Sequence, residues 1–313
     1  VLEPLGTLSF SGDLVHPLDI SGVAIAGDYL LLGSDEGQRL QVLERETADR
    51  YRVTDRVVAL APVGKEVDIE AVSFADGFAY AVGSHALRRR ALDPEDASVA
   101  QNRRRLLKVD RQKSRNRLVR FAFDPSTGET GPVERVGLGK WLRKHPLLGR
   151  FTRLPSKENG VDIEGLACRA GELFLGFRAP VLRHNLVPVA VLDFARPRAA
   201  ELRLLQLDGT GIRDLAAVDG GFLVLSGPVN DAAAPHALWF WDGRDQLPGS
   251  DRRVAPARRL GEVPVRPGHK AEGLALVRED QSAWEVLVAF DAALAGQPSR
   301  FRVPKPPGSG PPA

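Results

Sequence analysis

Short apolar runs recur along the chain, each opened by a polar residue and interrupted by a glycine turn. Val67-Asp68-Ile69-Glu70-Ala71-Val72-Ser73 returns nearly unchanged as Val161-Asp162-Ile163-Glu164-Gly165-Leu166-Ala167. Looser copies are Asp19-Ile20-Ser21-Gly22-Val23-Ala24, Gly211-Ile212-Arg213-Asp214-Leu215-Ala216 and Lys270-Ala271-Glu272-Gly273-Leu274-Ala275. Seven positions after Ser21, Glu70, Glu164 and Asp214 stand Asp28, Gly77, Gly171 and Gly221, and a second apolar run follows each. The fifth copy has a longer turn, 278–282, before its apolar run at 284–288. Every copy therefore predicts a β-hairpin. Two more strand-like runs follow in most copies, such as 187–194 with 202–207, and 237–241 with 254–260.

Four strands per unit at a period near 50 residues predict an all-β chain folded as a β-propeller. The anchors Ser21, Glu70, Glu164, Asp214 and Glu272 are spaced by 49, 94, 50 and 58 residues. The long gap holds a basic segment and a predicted helix over 139–151, so the count is five blades. A degenerate blade hidden in 88–160 would make six. The last unit offers only three strands, and the N-terminal run at 5–10 is expected to supply its fourth and close the ring. The domain reading is one propeller over 1–303, with a basic insertion at about 86–118 after blade two. A Pro/Gly tail at 304–313 is expected to be disordered.

Composition supports this outline. Thirty-one Gly and 23 Pro in 313 residues supply the turns. A hydrophobic share of 43% with 27% charged residues belongs to a packed globular chain. No apolar run approaches the roughly 18 residues of a membrane-spanning helix, so a soluble protein is expected. Whether it is cytoplasmic or secreted after processing stays open, and a monomer is expected. A single cysteine, Cys168, excludes an internal disulfide and a cysteine-rich zinc module.

The net charge of +3 is unevenly spread. Residues 88–120 carry twelve Arg and Lys against four acids, a local +8 that leaves −5 for everything else. This segment reads as a solvated loop, or as an arm for phosphate, nucleic acid or an acidic membrane surface. Residues 86–120 contain no aromatic side chain for base stacking, which argues against nucleic acid.

Propeller geometry locates the candidate chemistry. The start of strand one and the end of strand two lie on one face, because consecutive strands run antiparallel. The five anchors would thus converge on the axis, where four carboxylates must raise their pKa values or recruit a cation. Ser21, Glu70, Glu164, Asp214 and Glu272 are a hard-oxygen set suited to Ca²⁺. The same acids would also serve as acceptors for backbone hydrogen bonds between blades. Arg178, Lys270 and Arg213 are candidates to hold an anionic group, or to neutralise the ring from within. His85 and Asp35, at the ends of second strands, are the proton-transfer candidates.

The two Asp-Ile-Glu-(Ala/Gly) copies, the run from Gly176 to Arg183 and Arg213-Asp214-Leu215-Ala216 resemble the bacterial domain of unknown function 3616 family over nearly the whole chain. That resemblance implies no activity. The anchor order is also similar to the calcium ring of five-bladed calcium-dependent nucleotidases (apyrases), with Asp214 replacing a hydroxyl, and to phytase-like and lactonase propellers. These likenesses imply an axial Ca²⁺ and leave the substrate unspecified. The expected function is a calcium-binding hydrolase of a small anionic, phosphorylated substrate. The alternative is a non-catalytic propeller with a structural ion and a basic loop that contacts an acidic partner.

Overall fold

The computed structural model describes residues 1–62, 66–232 and 234–306. Five four-stranded antiparallel units stand around an axis in chain order. Blade one comprises Ile20–Ala26, Tyr29–Ser34, Arg39–Thr47 and Arg50–Ala59, with the short strand Ser9–Ser11 added in parallel at its outer edge. Blade two comprises Ile69–Ala75, Phe78–Gly83, Leu118–Ala122 and Glu134–Val136. Blade three runs Asp162–Arg169, Glu172–Ala179, Leu186–Leu192 and Glu201–Gln206. Blade four runs Gly211–Val218, Gly221–Gly227, Ala237–Trp241 and Arg258–Glu262. Blade five takes Lys270–Glu279, Ala283–Asp291 and Ser299–Pro304 from the end of the chain. Its outer strand is Glu3–Thr7, paired antiparallel with Ser299–Pro304. The expected closure is present, although the closing strand ends at Thr7 rather than reaching residue 10.

Strand alternation sends apolar side chains from each sheet into both neighbouring blades. Among the described residues this gives five buried apolar clusters, one in each gap between blades. The inner strands approach so closely that some positions admit no side chain. A Cβ on Gly22 would lie 2.8 Å from Val72 Cγ2, and one on Gly273 2.9 Å from Val23 Cγ1. Contacts that tight require the surroundings to move, which explains the glycine that follows Ser21 and the glycine that follows Glu272.

The basic segment sits inside blade two, between its second and third strands, rather than after it. We call residues 86–117 the arm. It holds a two-residue hairpin, Arg88–Arg89 with Val109–Asp110, and the helix α1, Val99–Leu106. α1 starts at a capping box: Ser98 Oγ accepts from the Gln101 N–H, while the Gln101 side chain accepts from the Ser98 N–H. No residue of α1 is buried. The predicted helix at 139–151 is shorter than expected: α2 spans Gly139–Lys144. Pro146 forces His145 out of the helical region, to φ −65° and ψ 126°, and a 3-10 turn at Phe151–Arg153 follows. Among the described residues, 88–160 contain no sixth blade. The expected tail begins later than 304, since Pro304 ends a strand and the Lys305 N–H donates to the Ser282 carbonyl. Residues 307–313 lie outside the described residues.

Candidate functional site

All five inner strands carry the same irregularity at the axis. Pairing with the second strand skips one residue: Ser21 between Ile20 and Gly22, Glu70 between Ile69 and Ala71, Glu164 between Ile163 and Gly165, Glu272 between Ala271 and Gly273. In blade four the skipped residue is Arg213, between Ile212 and Asp214. A β-bulge leaves its extra residue unpaired and re-aims its side chain. The equivalent ring is thus Ser21, Glu70, Glu164, Arg213 and Glu272, and the expected position of blade four is corrected by one residue. Gly220, seven after Arg213, has φ 76°, close to Gly77 at 76° and Gly171 at 77°.

Arg213 is 1% exposed and joins two of the acids, with Nη1 2.6 Å from Glu164 Oε2 and Nη2 on Glu272 Oε1. Arg178 holds the other oxygen of Glu164 at 2.8 Å and also binds Asp162. Lys270 Nζ lies 2.7 Å from Asp291. Arg115 pairs with Glu66 and lies 3.6 Å from Asp68, which also accepts from Ser84. A chain of ion pairs therefore neutralises most of the site from within. Two acids are left out: neither Glu70 nor Asp35 has an ion pair among the described residues.

Glu70, Asp162 and Glu164 each offer an oxygen, and these oxygens lie within 4.8 Å of one another. Both Glu164 oxygens already face a guanidinium, Oε2 through a hydrogen bond from Arg213 and Oε1 through the ion pair with Arg178, but Asp162 Oδ1 is buried with no partner. Burial, reinforced by Asp68, Glu164 and Asp162, pushes the Glu70 carboxyl well above the ordinary range. A buried acceptor and an uncompensated carboxylate side by side demand a proton or a cation.

The other sequence-predicted residues fall in different places. Ser21 donates to the Ile69 carbonyl and ties blade one to blade two. Asp214 is fully buried and accepts three backbone N–H groups. Leu215 and Leu166 reach Oδ1 at 2.8 and 3.3 Å, and Leu274 reaches Oδ2 at 2.7 Å. It is the strut between blades three, four and five, which is the backbone-acceptor reading of these acids. His85 is buried beside the site without lining its cavity, and its Nδ1 donates to the Gly83 carbonyl at 2.7 Å. Burial lowers its pKa to about 4, against the Gly83 bond, which leaves the ring neutral.

A cavity of about 470 Å³ opens over the ring. Asp35, Asp68, Glu70, Asp162, Glu164, Glu272 and Asp291 supply its acids, and Arg178 and Lys270 reach it from blades three and five. Arg88, Arg89, Arg90 and Leu92 of the arm complete the wall, so the arm stands at the mouth. Arg89 fixes it there by binding Glu158 and the Leu106 carbonyl. Sequence reasoning missed Asp68 and Asp162. The signal was present, because Asp19, Asp68 and Asp162 each stand two residues before an anchor, where Lys270 stands in blade five.

Asp35 is pushed up to about 8, by burial first and then by Glu272, Asp291 and Asp68. Its Oδ1 is buried and unpartnered. Glu272 is pushed to about 7 by burial, with Arg213 opposing. Such groups hold protons in the folded state that they release when unfolded, so stability falls as pH rises between the two pKa values. Metal-free protein is therefore expected to melt at a higher temperature near pH 5 than near pH 8.5. Asp35→Asn should flatten the upper part of that slope. A melting temperature equal at both pH values in wild type and variant would contradict the assignment.

The fold and its ring define a five-bladed β-propeller with an acidic, guanidinium-bridged axial site that could hold a metal ion. The chain belongs to the family described as Protein of unknown function (DUF3616), which matches residues 19–136 and 129–302. No curated protein matches it in sequence. Among solved structures, a hypothetical protein from Leishmania major is similar at 10% identity and a TM-score of 0.48, covering 99% of this chain and 93% of its own. Myxococcus xanthus glutaminyl cyclase is similar at 10% identity and 0.48, covering 96% and 95%. The exo-beta-1,3-galactanase of Phanerochaete chrysosporium gives 8% identity and 0.49, covering 98% and 65%. The likeness to calcium-dependent nucleotidases and phytase-like propellers finds no support in these comparisons.

Proposed function

We propose that the axial cavity binds a hard divalent cation, Ca²⁺ first, and acts on a small anionic ester or lactone by hydrolysis. The observation that carries this reading is Glu70, a carboxylate without an ion pair, clustered with Asp162, whose Oδ1 has no partner, each offering an oxygen within 4.8 Å of the other. These two residues would hold the ion, with Glu164 beside them and water or substrate filling the rest of a shell of six to eight oxygens. Such an ion supplies Lewis acidity to a bound substrate oxygen. Arg88 and Arg90 at the mouth would draw an anion in, and Lys270 and Arg178 line its path. Asp35, protonated at neutral pH, would deliver its proton to the leaving oxygen and recover one from the attacking water.

Thermal unfolding after exhaustive chelation, with Ca²⁺ or Mg²⁺ titrated back, tests the ion. The expected result is a rise of several degrees with Ca²⁺, roughly 3 kcal/mol at a hundredfold excess over Kd, that is absent in Glu70→Gln. Glu70→Gln should itself fold well, because it replaces an uncompensated acid by a neutral isostere. Protein that ignores both ions would show that a proton balances Glu70, and the axial site would then be a structural network. A screen of phosphoesters and lactones in Ca²⁺ tests the chemistry, with Asp35→Asn expected to lose activity while keeping the thermal response to Ca²⁺.

A further inference from the structure

The arm combines exposed aliphatic side chains with basic ones that have no acidic partner. Five aliphatic side chains between positions 92 and 109 are exposed: Leu107 at 83%, Val99 at 73%, Leu92 at 53%, Leu106 at 45% and Val109 at 40%. Among the described residues, Arg90, Arg103, Arg104, Lys108, Arg111 and Lys113 around them have no acidic partner. The inward face of α1 is accounted for, because Asn102 binds Asp93 and Ala97 and Arg105 binds the Ala91 carbonyl and Asp93. The outward face, with Arg103, Arg104 and the following Leu107, is exposed.

We propose that the arm docks this propeller onto an anionic lipid surface, with the aliphatic side chains entering the interface and the unpaired Arg and Lys lying among the headgroups. Amphipathic segments that bury aliphatic side chains in the interface and keep Lys and Arg among the headgroups bind membranes in this way. The charge distribution favours it: the arm is strongly positive and the remainder of the chain negative, so the molecule approaches an anionic surface arm first. A nucleic acid would find no stacking side chain here. An acidic protein would use the charge but would leave five exposed aliphatic side chains without a role. Docking would bring the lipid surface to the cavity mouth, since Leu92 and Leu106 belong to both. The inference stands on the arm alone and does not depend on a metal or on catalysis.

Vesicle co-sedimentation tests it, using phosphatidylcholine with and without phosphatidylserine, at low and high salt. The wild type is expected to bind only the anionic vesicles. Arg103→Ala/Arg104→Ala/Lys108→Ala should weaken binding on the order of 100-fold, about fivefold per charge. Val99→Ser/Leu107→Ser should weaken it about tenfold or more and leave binding more sensitive to salt. All five positions are exposed, so both variants should melt as the wild type does. Failure to bind anionic vesicles would overturn the proposal, as would vesicle binding unaffected by the serine pair. Equal affinity for soluble poly-glutamate in place of vesicles would overturn it in favour of an acidic protein partner.

Discussion

Arg213→Ala is expected to destabilise the protein by about 3–5 kcal/mol at neutral pH, because it strips the shared partner from two buried carboxylates. Glu164 would keep Arg178, whereas Glu272 would keep only the more distant charge of Lys270. The loss should depend on pH in a defined direction. Without the guanidinium, Glu272 moves up from its present value near 7, so the folded variant holds a proton that the unfolded chain has released. Stability then falls as pH rises, and the gap from wild type should be smallest near pH 5 and widest near pH 8. Urea unfolding at several pH values measures both the size and the slope. A loss below about 1 kcal/mol, the same at every pH, would mean that the Arg213 bridges contribute little. Glu272→Gln in the Arg213→Ala background should recover part of the loss, since it removes the charge left behind.

Asp214→Ala should cost a similar amount, about 4 kcal/mol, by a different route. Three backbone N–H groups lose their acceptor in a site closed to water, and each orphaned donor costs about 1–3 kcal/mol. The asparagine variant separates shape from charge. One amide oxygen can still receive Leu166 and Leu215, which share Oδ1, but its NH₂ would then face the Leu274 N–H donor. Hydrogen exchange in Asp214→Asn should therefore speed at Leu274 while Leu166 and Leu215 stay protected. Uniform acceleration at all three would show that the ring opens as one unit instead of failing at the joint with blade five.

The placement of Asp214 marks how far the sequence could be read. The hairpin repeat, the period near 50 residues and the orphan third strand of blade five were all legible. Each follows from local chemistry: glycine turns, alternation, and an edge that needs a partner. The axial register of blade four was not, because Asp214 looked more like the neighbouring acids than Arg213 did. The apolar residue before the anchor was the better guide. Ile20, Ile69, Ile163 and Ile212 precede Ser21, Glu70, Glu164 and Arg213, and packing between blades constrains that position more tightly than charge constrains the axis. Aligning on the isoleucine would have placed an arginine in the ring and changed its electrostatics from a crowd of acids to a bridged network. The arm was readable as a basic insertion that follows the second strand of blade two and so can reach the channel mouth, whereas the contact that fixes it there, Arg89 with Glu158, spans 69 residues. Likewise, α2 stopped at Lys144 because of Pro146, which was visible in the sequence, whereas the unpartnered oxygen of Asp162 depends on distances that no sequence pattern encodes.

The pairing of Glu3–Thr7 with Ser299–Pro304 has a consequence for how the molecule is made. A ribosome delivers the first strand almost three hundred residues before its partner exists. Until residues 299–304 exist that strand is a free edge, and all five of its residues are exposed even in the finished ring. Blades one to four can assemble behind it as an open arc, each seated on the one before. The gap between the fifth and the first, filled by Val23, Leu30, Leu287 and their neighbours, closes only after the last strands emerge. Closure therefore waits on the strands of blade five, and until they exist the propeller can only be an arc with an open gap between blades one and four.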